Sequence, residues 1–437
     1  MVNKLTDLLL TYRGIKLYSG FLTESQYWSP AQIKERQSLW LTRLLQHCKT
    51  HIPWYSGQFR MYGVNTNSTD PFAELNKLPV LTKDQVRQNH SLFCLANAKS
   101  DSLSFATSGT TGEPLRVHTS QNQWIYEQGV IWRHWKWAGY QFRDKIAIFR
   151  SYAPSADQPL IKVDSLKNWS YFSVFRMDDQ AMQQYFAYMQ KWQPKYLRGY
   201  PSALKLVAQY AIRHRIKLPG LKGAFTASEK VTPDVRESLR EAFGIEVFDH
   251  YGQAEITCMF HECEKHEGMH VDWEYGLVEL LDSAVPGKFR IVATNLHNLS
   301  MPLLRYDTGD LSYGGWETCT CGRTAPLIRG IDGRSDHYLI FSDGSRASTV
   351  NLYTYFSKIS DLKRFQVIQS APGQLSIKYS IWNAADKSAA TSLGTKIVQD
   401  LSGMMNMQIS ATCTDEYKLS REGKFATFVQ LVDSDVA

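Results

Sequence analysis

The run Thr107-Ser-Gly-Thr-Thr-Gly-Glu-Pro114 combines hydroxyls and glycines with almost no side-chain bulk. A loop of this kind can turn backbone N–H groups and hydroxyls onto an anion, as phosphate cradles do. It is not a Walker loop, which needs a Lys followed by Ser or Thr after its last glycine, because Gly112 is followed by Glu113 and Pro114. A second chemical cluster lies downstream. Cys319-Thr-Cys321-Gly-Arg323 is a tight pair of thiolates in a turn, and Cys263 with His270 supplies an upstream pair. Four such donors satisfy tetrahedral zinc, and a set with no open position is structural rather than catalytic. Cys258, His261 and His266 compete for the same role.

These groups need a scaffold, and the order of apolar runs supplies one. The short run Leu103 to Ala106 reads as a strand that ends in the glycine-rich loop. Strand and helix then alternate. Strands are expected at Lys145 to Phe149, Lys195 to Gly199, Gly223 to Glu229 and Glu246 to Asp249, with helices at Asp178 to Trp192, from Tyr200 through Ile212, and at Pro233 to Phe243. Such alternation predicts a largely parallel sheet covered by helices, with ligands held at the carboxyl ends of its strands. Ser108, Tyr200, Ser228 and Tyr251 all fall at such ends.

Around this centre, residues 1 to about 60 carry helical apolar spacing and form a cover, and Thr82 is the N-cap of a helix beginning at Lys83. Gln121 to Tyr140 reads as a helix dense in tryptophan, with Trp124, Trp132, Trp135 and Trp137 suited to core packing more than to ligand contact. From about residue 275 the pattern turns to antiparallel strands. Beyond Arg334 come two strands, a helix from Ala385 to Leu401 and a strand from Gln408 to Cys413. The fold expected is α/β: a large N-terminal domain, residues 1–335, with helix-covered mostly parallel sheets and a β-rich subdomain, then a small α+β domain, residues 336–437.

Composition excludes several classes. With 437 residues, 43% hydrophobic and 13% aromatic, the chain can bury cores and is not disordered. The net charge of +7 is spread along the chain without a basic run, which argues against nucleic acid as a partner. No stretch approaches the length of a membrane span, and the start, Met1-Val-Asn-Lys-Leu-Thr-Asp7, lacks the layout of a signal peptide. A cytoplasmic protein is expected. Its seven cysteines, an odd and clustered set, fit a reducing compartment with a metal site better than a disulfide framework.

Four further motifs follow the glycine-rich loop in a fixed order: Tyr251-Gly-Gln-Ala-Glu255, Arg305-Tyr-Asp-Thr-Gly-Asp-Leu311, Gly333-Arg-Ser-Asp336 and Arg421-Glu-Gly-Lys424. The series resembles the adenylate-forming superfamily of acyl-CoA synthetases, adenylation domains and luciferase. Leu78-Pro-Val-Leu-Thr-Lys83 and Arg198-Gly-Tyr-Pro-Ser-Ala-Leu204 bring it nearest to the phenylacetate-CoA ligase branch with its capsule-biosynthesis relatives. The resemblance implies that a carboxylate attacks the α-phosphate of ATP, pyrophosphate leaves, and the acyl adenylate passes its acyl group to coenzyme A. Two alternatives stand beside it: transfer to an amine or hydroxyl acceptor, as in cell-surface polysaccharide biosynthesis, and a non-catalytic nucleotide-binding scaffold.

The same resemblance assigns residues. Ser108, Gly109, Thr110, Thr111 and Gly112 would hold the β- and γ-phosphates, while Ser228, Glu229, Tyr251 and Gly252 would contribute to the nucleotide site. Glu255 would bind magnesium, Asp310 the ribose hydroxyls, and Arg334 the ribose or phosphate side. Asp336 falls on the hinge of the small domain, and Lys424 on the lysine that contacts carboxylate and α-phosphate oxygens during adenylation. Tyr200, Pro201 and Trp135 are candidates for the acyl pocket. For zinc the resemblance favours Cys263, His270, Cys319 and Cys321, with His266 the rival to His270. Asp307 and His337 depart from the common pattern at positions the chemistry does not require. The implied partner is a small carboxylic acid, with no membrane span and a dimer compatible.

Overall fold

Residues 142–247 owe their structure to helices that each bury one stripe against short strands, the central ones largely buried. The strand Gly223–Ala227 is buried at every position, and the helix Pro233–Phe243 buries Val235, Leu239 and Ala242, spaced for one face. Pro233 sits at the first helical turn, where its missing N–H costs nothing, and Gly244 ends the helix at φ 69°. The computed structural model describes residues 4–95, 103–106, 115–150, 157–283, 287–332, 338–349, 361–381, 386–414, 416–418 and 427–432, together with positions 152, 154, 155, 352, 355, 356, 358 and 359.

Two compact units emerge. One gathers residues 1–105, 116–141 and 248–334; the other gathers 106–115, 142–247 and 335–437. Within the second, the strands Gly223–Ala227, Tyr196–Gly199, Ile146–Phe149, Trp169–Phe172 and Ile161–Asp164 lie side by side in that order. The first four pair in parallel, as strand-helix alternation predicts, and the last turns back antiparallel as a hairpin edge. The later part of this unit is an α+β sheet in which the hairpin Leu362–Ala371 and Gln374–Ile381 is flanked by Phe428–Gln430 and Gln408–Cys413, with the helix Lys387–Met404 against it. Phe365, Val367 and Ile377 share one buried cluster with Phe149, Tyr185 and Leu204.

The first unit is more antiparallel than expected from sequence. Val247–Gly252, Met259–Glu262, Met269–Val271 and Leu327–Ile328 form a meander, and Gly276–Asp282, Lys288–Asn295, Tyr306–Tyr313 and Gly330–Asp332 form a second. Strands of three and four residues between 259 and 271 are too brief for a period to declare itself, which is why the sequence did not announce them. The N-terminal cover is present as a 22-residue helix, Pro30–His51, opened by a Ser29–Gln32 capping box. Its Trp40 stacks on Trp273 at 6.0 Å, with Phe21 and Trp28 alongside. No helix among the described residues is long and apolar enough to cross a membrane.

Candidate active site

In the second unit Arg150, Tyr200 and Ser228 directly follow the carboxyl ends of three parallel strands. Gly199 is required there, because a Cβ would stand 2.7 Å from the Phe149 carbonyl oxygen. The Tyr200 N–H donates to that same oxygen at 3.2 Å, and Pro201 opens the next helix. The Arg150 guanidinium lies 5.7 Å above the Tyr200 ring and donates to Ser228 Oγ at 3.2 Å. Ser228 itself is held at φ 73°, a conformation that costs a non-glycine residue about 1 kcal/mol or more and that clusters at functional sites. Glu229 is buried and accepts the Ser202 N–H at 3.0 Å, so it caps the helix that follows Tyr200. Tyr200, Pro201, Ser228 and Glu229 are thus gathered at one carboxyl edge, with Arg150 added to them.

In the first unit the motif strands meet. The Tyr251 hydroxyl donates to Asp310 Oδ2 at 2.7 Å. Burial and then the Asp310 charge push the Tyr251 pKa well up, so the phenol remains a donor. Asp310 sits after Gly309, whose φ of 76° falls at a bulge within the strand Tyr306–Tyr313, and its N–H donates to Thr308 Oγ1 at 3.2 Å. Leu78 to Lys83 runs beside Arg305 to Asp307: Leu81 N–H donates to the Arg305 carbonyl at 2.8 Å and Asp307 N–H to the Leu81 carbonyl at 2.9 Å. Arg305 secures the same seam by donating to the Leu78 carbonyl at 2.6 Å and pairing with Glu279 at 2.9 Å.

That seam delivers Lys83 to Glu255. Lys83 Nζ stands 3.0 Å from Glu255 Oε1, which also accepts the Tyr306 hydroxyl at 2.9 Å. Glu255 is only 5% exposed, so a cation is the partner that burial demands for its charge. Gly252 approaches Met259 closely enough that an added Cβ would lie 3.3 Å from its methyl. Trp135 is buried and packs on Trp132 and Tyr140, as the core-packing reading of the tryptophan helix expected. The loop Ser108, Gly109, Thr110, Thr111 and Gly112, and also Arg334, Asp336 and Lys424, lie outside the described residues.

The sulfur and imidazole ligands converge as a separate group. One ligand atom each from Cys263, His270, Cys319 and Cys321 lies within 4.8 Å of the others. Cys263 and Cys319 sulfurs are 3.6 Å apart, and Cys321 Sγ is 3.4 Å from His270 Nε2. His270 Nδ1 faces the Ala325 carbonyl at 3.1 Å, which fixes the proton there and leaves Nε2 as the donor. Backbone N–H groups of Lys265, Cys321 and Arg323 point at the three sulfurs at 3.4, 3.5 and 3.4 Å, the arrangement that steadies thiolates. Burial works against ionisation at Cys321, but the Arg323 N–H and side chain outweigh it and lower its pKa. Glu267 clamps the turn by accepting the Thr320 N–H at 2.9 Å. His266 stands apart, beside Glu262 at 3.2 Å, and Cys258 and His261 also lie outside this four-residue group.

Sequence reasoning read Lys83 only as a helix-opening residue and passed over Arg150 and Tyr306. The signal for Lys83 and Tyr306 was present, since each sits inside a quoted motif; Arg150 follows a buried strand with no motif to mark it.

The family described as AMP-binding enzyme matches residues 75–278. The match to this adenylate-forming family spans 204 of the chain's 437 residues. A phenylacetate-coenzyme A ligase from Thermus thermophilus is 27% identical over 313 residues, covering 69% of this chain and 70% of the relative. Protein CapK of Staphylococcus aureus is 23% identical over 331 residues, covering 72% of this chain and 71% of the relative. Among solved structures, a 2-hydroxyisobutyryl-CoA ligase in the postadenylation state aligns with a TM-score of 0.56 and 18% identity over 94% of each chain. The adenylate-forming fold therefore extends over nearly the whole chain, and the phenylacetate-CoA ligase-like branch anticipated from the motifs is the one the relatives occupy.

Proposed function

We propose that the chain is an AMP-forming acyl-CoA ligase: it activates a small carboxylic acid with ATP as the acyl adenylate, releases pyrophosphate, and transfers the acyl group to coenzyme A. The observation that carries this reading is the Tyr251 to Asp310 contact, which brings two motifs of the family to one point, with Glu255 held nearby in sequence by Lys83 and Tyr306. Relatives named phenylacetate-coenzyme A ligase support coenzyme A as the acceptor in preference to an amine or hydroxyl.

Asp310 offers two carboxylate oxygens for the ribose hydroxyls, one already oriented by Tyr251. Glu255 would hold a magnesium ion as a hard, buried oxygen donor, and the ion would supply positive charge against the charge that develops on the phosphates. Lys83 holds that carboxylate in place and shares its charge. In this reading Ser108 to Gly112 cradle the β- and γ-phosphates, Arg334 reaches the nucleotide, and Lys424 meets the carboxylate and α-phosphate oxygens. Residues 336–437 then act as a small domain turning at Asp336 after adenylation. Cys263, His270, Cys319 and Cys321 hold a structural zinc, a fit supported by three sulfurs, one oriented imidazole and a shell of N–H donors. The location is cytoplasmic, consistent with thiols kept reduced.

The test is a pyrophosphate-release screen over aryl, fatty, amino and uronic acids, each with and without coenzyme A. Activity that appears with one class and yields a thioester only with coenzyme A supports the reading; pyrophosphate release with transfer to an amine would replace it. Lys424→Ala should reduce adenylation by at least about a hundredfold, comparable to losing one preorganised electrostatic donor, and spare thioester formation from supplied adenylate.

A further inference from the structure

Three more histidines, apart from the sulfur-rich group, converge inside the first unit. His134 lies on the helix Gln121–Trp137, His250 on the strand Val247–Gly252 and His261 on Met259–Glu262. His250 and His261 are directly opposite across the antiparallel pair, so their side chains share a face, and His134 comes down onto them from the helix. One ring nitrogen from each lies within 4.8 Å of the other two. His134 and His261 are fully buried, and His250 is half-buried.

A carboxylate stands behind His261. Its Nδ1 faces Asp272 Oδ2, and Asp272 is held in turn by Arg133 at 2.7 Å. Arg133 also pairs with Glu274 at 2.6 Å, so the guanidinium that holds this carboxylate is itself anchored. Nδ1 meets Asp272 as a charge contact and not a directed hydrogen bond, and the buried Nε2 on the other side of the ring has no hydrogen-bond partner among the described residues either. An unmet nitrogen acceptor in a fully buried position carries a free-energy cost that a ligand would remove.

We infer that His134, His250 and His261 form a second metal site, taking a divalent first-row transition ion of the kind imidazole prefers, such as zinc, cobalt or nickel. Carboxylate behind histidine behind metal is the common outer arrangement of imidazole sites. Three neutral imidazoles leave the fourth place of a tetrahedral ion to water or a small anion, in contrast to the closed sulfur-rich group. The ion would tie the tryptophan helix to the strand that carries Tyr251, since His250 is its immediate neighbour in sequence.

Cobalt alone, titrated into untagged protein stripped with a chelator, separates the two sites. The sulfur-rich group is expected to give thiolate-to-cobalt charge transfer in the near ultraviolet, and the histidine site only ligand-field bands. Cys319→Ser/Cys321→Ser should lose the first signal and keep the second. His250→Ala should lose the second equivalent and keep the first; this half-buried position is changed so that no core side chain is emptied. His250→Cys should restore binding with a new charge-transfer band, a gain that a merely structural histidine would not produce. Absence of a nitrogen-ligated equivalent in the parent protein, or its full retention in His250→Ala, overturns the inference.

Discussion

The hydroxyl of Tyr251 and the carboxylate of Asp310, separated by 59 residues, meet at 2.7 Å. Their bond is charge-assisted and partly buried, so it orients one oxygen of Asp310 and leaves the carboxylate as acceptor.

Tyr251→Phe removes that donor while keeping the ring. A hydrogen bond to a charged group contributes about 1.5–3 kcal/mol, so ATP binding should weaken roughly ten- to a hundredfold. Calorimetric titration with ATP checks this. An unchanged affinity would reduce Tyr251 to a packing residue.

Glu255→Gln preserves shape and discards the charge that a magnesium ion needs. The magnesium concentration at half-maximal activity should rise by at least about tenfold, equivalent to 1.4 kcal/mol, with the thermal midpoint little changed. Lys83→Met removes the cation standing 3.0 Å from the same oxygen, and should shift the requirement the other way by a few fold. Equal magnesium dependence in all three proteins would make Glu255 a bystander.

Zinc content and stability should fall together in Cys321→Ser. Loss of a ligand is more severe than loss of an outer partner, which already costs about ten- to a hundredfold in metal affinity, so zinc should be weakened by more than about a hundredfold. Elemental analysis alongside thermal unfolding provides the reading. His266→Ala should retain zinc, because His266 packs beside Glu262 and Phe248, outside the sulfur-rich group.

The buried His297, stacked on Tyr126 at 3.6 Å, predicts an acid limb. Burial lowers its pKa to about 4, against a partial opposing effect from the Glu274 carbonyl. The unfolded chain therefore binds the proton first, and stability is intact above the ordinary histidine value of about 6.5 and lost as pH falls toward 4. At 1.36 kcal/mol per pH unit, the loss across that window is on the order of 3 kcal/mol. His297→Gln should flatten the difference in denaturation midpoint between pH 7 and pH 5; an unaltered slope would assign the acid sensitivity elsewhere.

Much of the second unit was legible because its helices carry long periodic stripes. Pro233–Phe243 and Gln408–Cys413 match the sequence reading at both ends, and Thr82 caps its helix through a Thr82–Gln85 box. The convergence of Cys263, His270, Cys319 and Cys321 was legible for a different reason, since Cys and His declare their chemistry whatever the fold. What escaped was pairing at a distance. Nothing local tells Lys83 that its partner is Glu255, or sets Arg133 against Asp272 and Glu274; such pairs exist only after strands far apart in sequence are side by side. The strands Ile161–Asp164 and Met269–Val271 were missed because brief, mixed segments become strands through their neighbours' hydrogen bonds.

The N-terminal cover carries a consequence for biosynthesis. Gln37 donates to the Trp273 carbonyl, Ser25 to Glu274 and Tyr55 to the Pro302 carbonyl, across gaps of 236, 249 and 247 residues. At roughly 5–20 residues per second, the first helices leave the ribosome about 10–50 s before their partners exist. During that interval Trp28 and Trp40 lack the Trp273 indole on which they pack, and the apolar stripe of Pro30–His51 faces solvent or a chaperone. The nascent chain must therefore keep its beginning soluble until its middle is made, and slow translation between residues 60 and 270 should increase misassembly of this protein more than slowing near its end.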